Sequence, residues 1–392
     1  MNNKLINKCY KESKKLLINN STRFGALASS LSKKAKNRNY LSIFGRDASI
    51  CSMGMAVSGD KRLIDTAKKS LVTLAEFQAD NGQIPNYIKP EKKQVDFWYI
   101  GCIDATLWWL IAVKFFDNNV KDATLEKKYK KNIQKAISWL FAHEHPVFHL
   151  VSQNEVSDWA DIFPRSGFVL YANALWYWVK ILYNLKWKSE TKKYFNYLFD
   201  PWEKISKEIA RKNRRFLKLR SYIKNDRFNK DLYVSFVNYK FWGKDQDVYG
   251  NLIACLSGLT DSIKKKKIIN YLIKQKANYP YPVKTVLRPF TKKSKFWRDY
   301  MEIHNQNFPY QYHNGGIWPY VGGFWVMALA ESGKKELAES ELEKLAEANK
   351  INNWQFNEWF HGQTGKPMGM AGQSWNAGMY LLAYNSLINK FK

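Results

Sequence analysis

Several stretches of this chain are apolar on every side of a helix, among them CIDATLWWLIAV (102–113), SGFVLYANALWYWV (166–179) and GGIWPYVGGFWVMALA (315–330). A helix with no wet side must be enclosed by other elements. Between these stretches lie segments with a one-sided stripe, such as SIKKKKIINYLIKQ (262–275) and KKELAESELEKLAEA (334–348), whose charged faces belong in water. In the segment from Arg62 to Phe77 the stripe is Leu63, Ala67, Leu71, Leu74 and Phe77. Such spacing predicts twelve helices, near 2–19, 47–58, 61–79, 100–117, 125–143, 168–185, 190–213, 246–258, 262–276, 316–332, 334–348 and 372–389. The even-numbered ones are nearly free of charge and the odd-numbered ones are amphipathic. Six outer and six inner helices in alternation describe an all-α chain folded as an (α/α)6 barrel. No Pro/Gly/Ser-rich linker interrupts the rhythm, so one domain over 1–392 is expected, with a long irregular insertion or small hairpin near 216–242 where LYVSFV brings β-formers.

Hydrophobic residues at 45% supply the core such a barrel needs. Cys9, Cys51, Cys102 and Cys255 lie far apart, without a CxxC pair or clustered histidines, so neither a disulfide scaffold nor a metal site is expected, and no cofactor. The N-terminal MNNKLINKCYKESKKLLINN lacks the apolar core of a signal peptide, and no stretch reaches a clean transmembrane length; a cytoplasmic location and no membrane partner are the expectations. The net charge is +29, and residues 191–300 hold 27 Lys and Arg against 9 Asp and Glu. No nucleic-acid motif accompanies the excess, which reads as a composition bias on solvated faces, and no nucleic-acid partner is expected.

The unusual polar clusters stand just ahead of the inner helices: FGRDAS (44–49), YIGCIDATLWW (99–109), SDWADIFPRSG (157–167), DQDVYGN (245–251), YHNGGIWPY (312–320), and FNEWFHGQTG through GQSWNAG (356–378). Inner helices of one direction bring these loops to one mouth of the barrel. Trp and Tyr beside carboxylates suit a carbohydrate, aromatic faces stacking on the ring and polar groups fixing the hydroxyls. Glycoside hydrolysis needs two carboxyls, and Asp47, Asp104, Asp158, Asp161, Asp245, Asp247 and Glu358 are available. Asp104, in an otherwise apolar helix, has the burial that would raise an acid's pKa, although a first-turn Asp is also favoured by the helix dipole. Glu358, among Trp354, Trp359, Phe360 and His361, has little structural reason to be there. Asp47 and Asp158 can cap or brace their own loops, and His313 stands alone of metal partners.

FGRDAS, GCIDATLWWLIA, DWADIFPRSGFVLYANALWY, YHNGGIWPYVGGFWVMAL and NEWFHGQTGKPMGMAGQSWNAGMYLLAY together resemble the clan of (α/α)6-barrel glycoside hydrolases, over about 44–384. That clan includes the glucosidase domain of glycogen-debranching enzymes, the neutral/alkaline invertases and the mannosylglycerate/glucosylglycerate hydrolases. The resemblance implies an inverting exo-glycosidase, with Asp104 as general acid and Glu358 as general base. It implies further that Arg46 and Asp47 hold sugar hydroxyls, and that Trp318, Gln373 and Trp375 line the pocket. Trp108, Asp158, Trp159, His313 and Asn314 complete the expected substrate site. The expected reaction is release of glucose from an α-glucosidic bond, as in an amylo-α-1,6-glucosidase. The chain begins almost at the first barrel helix, without the N-terminal domain usual in debranching enzymes, which points away from a large polymer. Sucrose or a glucosyl- or mannosylglycerate is the alternative substrate. A sugar epimerase or a polyanion- or glycan-binding protein are the rivals from other classes.

Overall fold

The computed structural model describes residues 3–98, 101–212, 214–226, 229–239 and 241–389. Tyr99 of the 99–109 cluster, and the expected helix limits at residues 2, 100 and 213, lie outside the described residues.

Twelve helices follow the alternation: α1 (Lys4–Asn19), α2 (Gly45–Ala56), α3 (Lys61–Glu76), α4 (Ile103–Asn119), α5 (Lys130–Ala142), α6 (Leu170–Leu182), α7 (Lys188–Phe199), α8 (Val248–Leu256), α9 (Ser262–Lys274), α10 (Pro319–Glu331), α11 (Lys335–Trp354) and α12 (Ser374–Ile388). Each even-numbered helix packs on the next even-numbered one, and α12 returns onto α2, which closes the inner ring. The odd-numbered helices lie outside it, α3 on α2, α7 on α6, α9 on α8, α11 on α10, and α1 against both α11 and α12. The architecture is the (α/α)6 barrel expected from the alternation. Inner helices are buried around their circumference: every residue of α10 from Pro319 to Val326 is buried. Outer helices bury one stripe, as α3 does with Leu63, Ala67, Leu71 and Leu74.

The ring closes tightly where α2 meets α12. A Cβ at Gly54 would stand 1.9 Å from the Gly378 carbonyl oxygen, and one at Gly378 would stand 2.8 Å from Cys51 Cα. Only two facing glycines let these backbones approach so closely.

Two departures have local causes. The expected helix at 190–213 stops at Phe199, because Pro201 disfavours helical backbone at the residue before it. The insertion begins as helix rather than irregular chain: Arg214–Asn225 is helical and buries Phe216, Arg220 and Ile223 at spacings of four and three. The hairpin expected there exists, Phe236–Asn238 pairing with Phe241–Trp242, and Phe168–Val169 joins it as a third strand. A second small sheet, Ile43–Phe44, Tyr87–Lys89 and Gln94–Asp96, was not foreseen, its strands being too short for alternation to register. Among the described residues no helix is long and apolar enough to cross a membrane.

Candidate active site

The N-terminal ends of the inner helices open into a cavity of about 510 Å³. Arg46 and Asp47 reach it from the first turn of α2. The loop before α6 supplies Asp158, Trp159 and Asp161, the loop before α10 supplies His313 and Trp318, and Glu358 and Trp375 come from the region entering α12. Tyr40, Phe44, Tyr87, Trp98 and Tyr312 complete its aromatic wall. The sequence clusters thus meet at one mouth, except that preceding α8: Asp245 and Asp247 do not line the cavity and serve as braces. Asp247 Oδ2 accepts from Arg165 Nη1 at 2.9 Å, both groups fully buried, which ties the loop carrying Asp158 and Asp161 to the start of α8.

Glu358 is buried at 4% exposure. Its Oε1 accepts from the Tyr40 hydroxyl at 2.5 Å and its Oε2 from the Met370 N–H at 2.8 Å. Burial pushes its carboxyl up to about 7, against the pull of those two donors. Asp161 is the most open carboxylate of the wall, its side chain 46% exposed along the cavity, with Oδ1 3.9 Å from His313 Nδ1. Enclosure by the cavity walls pushes its carboxyl up to about 6, opposed by the Arg46 charge and assisted by Asp158 and Asp104. Asp47 and Asp158 are also raised by burial, each opposed by its neighbouring arginine.

Aromatic rings pack against one another along the walls. His313 stacks on Trp318 with centroids 5.4 Å apart, Trp159 meets both edge-on, and Trp375 stacks on Tyr320 at 4.0 Å. Burial and the Arg165 and Arg46 charges drive the His313 pKa well below its ordinary value, so its imidazole is neutral. The buried atoms Trp159 Nε1, His313 Nδ1 and Trp375 Nε1 have no hydrogen-bond partner within the protein.

Four residues expected to touch substrate stand elsewhere. Asp104 is fully buried behind the wall, its Oδ2 accepting from Tyr171 at 3.0 Å and lying 3.5 Å from Arg46 Nη1. Trp108 is deeper still, donating from Nε1 to the Tyr171 hydroxyl at 2.7 Å. Asn314 is a loop brace that donates to the Phe290 carbonyl at 2.8 Å and accepts the Phe290 N–H at 2.7 Å. Gln373 is fully buried at the entry to α12 and is not on the cavity surface. Missed at the sequence level were Tyr40, in a polar stretch with no recognisable signal, and the prominence of Asp161 over the other acids.

Residues 175–390, more than half of the chain, match the model of the alkaline and neutral invertase family. The chain belongs to this glycoside hydrolase family. This family member is 28% identical over 140 residues to neutral/alkaline invertase 1, mitochondrial, of Oryza sativa subsp. japonica, a match covering 34% of the chain and 21% of the relative. It is 28% identical over 142 residues to alkaline/neutral invertase C, mitochondrial, of Arabidopsis thaliana, covering 34% and 20%. The matches thus span about a fifth of the length of these curated relatives. In fold it is similar to the GH63 mannosylglycerate hydrolase of Thermus thermophilus, solved with Tris and D-glycerate, with TM-score 0.61, 13% identity, and 95% and 99% of the two chains covered. A second solved glycosidase superposes with TM-score 0.61 at 12% identity, covering 98% and 97%.

Proposed function

We propose that this family member is an exo-acting, inverting glycosidase for a small α-glycoside, with Glu358 as general base and Asp161, in place of Asp104, as general acid. The observation that carries this is the pair of cavity-lining carboxyls lifted toward neutrality, Asp161 to about 6 and Glu358 to about 7. Both oxygens of Glu358 accept hydrogen bonds, which suits the base; with Glu358 near 7 and Asp161 near 6, the active form, Glu358 ionised and Asp161 protonated, is the minority one between those values. Asp161 has the access to substrate that Asp104 lacks. In the reaction Glu358 takes a proton from water as its oxygen bonds to the anomeric carbon. Asp161 gives its proton to the glycosidic oxygen as the carbon–oxygen bond breaks. Arg46, Asp47 and Asp158 hold hydroxyls, and Trp318 and Trp375 present ring faces and edges to the sugar.

A cavity of about 510 Å³ suits a small molecule better than a glucan. Sucrose, the substrate class suggested by the invertase relatives, and mannosylglycerate, suggested by the fold neighbour, rank ahead of a glucan branch. Proton NMR of the protein with sucrose, mannosylglycerate, glucosylglycerate and isomaltose tests this. The expected result is early β-glucose from one α-glucoside, or β-mannose from the mannoside. The α-anomer appearing first would overturn inversion, and no product from any sugar would overturn the activity.

A further inference from the structure

We infer that Asp104 is a positioning residue whose task is to hold the Arg46 guanidinium at the cavity wall, where Arg46 meets a sugar hydroxyl; this rests on the glycosidase reading of the cavity. Asp104 sits in the first turn of α4 with no exposed surface. Its Oδ1 accepts from Cys102 Sγ at 3.0 Å, its Oδ2 accepts from Tyr171 at 3.0 Å, and Arg46 Nη1 is 3.5 Å from Oδ2. A fully buried carboxyl group of this kind is held in place where a cation and hydrogen-bond donors surround it. Arg46, by contrast, lines the cavity. Its Nε stands 3.2 Å from Asp47 Oδ1 and its guanidinium carbon 5.6 Å from the centre of the Trp375 ring. The guanidinium is therefore clamped between two carboxylates and an indole, with Asp104 as the anchor behind it.

The same charge reaches the proposed acid. Asp104 raises the Asp161 carboxyl and Arg46 lowers it. The titratable and charged groups around Asp104 are Arg46 and Asp47 on α2, Cys102 ahead of α4, Asp158 and Asp161 before α6, Tyr171 on α6, Tyr249 on α8 and Tyr320 on α10. Loss of the Asp104 charge alone leaves Arg46 less neutralised. Asp161 then gives up its proton at lower pH.

Asp104→Asn keeps the shape and an acceptor for Tyr171. With the glycoside the wild type cleaves best, the expected result is a KM at least about tenfold higher, and an acid limb of the pH profile, set by Asp161 because it titrates below Glu358, moved to lower pH. With glycosyl fluoride, whose leaving group needs no proton, the variant should lose the same factor, because the missing contact is to the sugar ring common to both substrates. Wild-type turnover of the fluoride alongside failure on the glycoside would make Asp104 the acid and overturn the inference. An unchanged KM with an unmoved acid limb would overturn it too. A double-mutant cycle of Asp104→Asn and Arg46→Lys, read as Tm without any sugar, should be non-additive, and additivity would break the proposed link. If the wild type cleaves no glycoside, the functional reading falls by itself and the cycle alone decides whether Asp104 anchors Arg46.

Discussion

Tyr40 and Glu358 are 318 positions apart in the chain and 2.5 Å apart in the fold. The phenol donates to the carboxylate and so pulls its pKa down, toward the anion a base requires. Tyr40→Phe removes that pull, so Glu358 should hold its proton to higher pH; because Glu358 near 7 already titrates above Asp161 near 6, it sets the alkaline break of kcat/KM, which should move up while the maximum falls. In the wild type one carboxyl of the pair must be ionised and the other protonated. Activity should then describe a bell with its maximum between about 6 and about 7, falling on both sides. Removing the acid and removing the base are separable at this scale. Asp161→Asn should lose about 10²- to 10⁴-fold on an ordinary glycoside while keeping most of its turnover of a glycosyl fluoride. Glu358→Gln should fail on both, since neither substrate supplies a base for water. Steady-state kinetics on the two substrates check both statements.

Among the elements, the site depends on joints between helices and loops. The buried pair of Arg165 and Asp247 joins the loop before α6 to α8, and Arg165 also packs over Phe163 at 5.2 Å. Arg165→Met leaves Asp247 a buried charge without a partner, which should cost roughly 3–5 kcal/mol. A fall in Tm together with loss of activity is the expected result of calorimetry and assay. The joint between α2 and α12 is steric instead. Gly54→Ala puts a methyl against the Gly378 carbonyl and should destabilise by about 1–3 kcal/mol or more, measured as a lower denaturant midpoint. Which stretches become helices is legible from apolar spacing alone, as α3 and α10 illustrate. The short sheet that brings Phe44 and Tyr87 to the cavity is not, because strands of two or three residues carry too little pattern.

Across the molecule, the closed inner ring makes every barrel helix a neighbour of the same core. We propose that the chain unfolds as one domain, in a single calorimetric transition that coincides with loss of activity. A second transition at a distinct temperature would instead divide it. The charge of +29 bears on solubility and on salt-sensitive sticking to polyanions rather than on the fold. For an uncharged sugar substrate, kcat/KM should change by less than about twofold as salt is raised, because there is no charge on the ligand to screen.

The alternation of enclosed and one-sided helices, hence the barrel, and the set of polar loops at its mouth were already written in the order of the amino acids. Both follow from short-range spacing, which a chain carries wherever it goes. Which acids see the cavity was settled by the folded chain alone. Asp104 and Asp161 look alike in sequence, each an aspartate beside apolar neighbours. One is sealed between Arg46 and Tyr171 and the other stands open to the cavity, because exposure and partnership are set by what distant segments lay against a side chain.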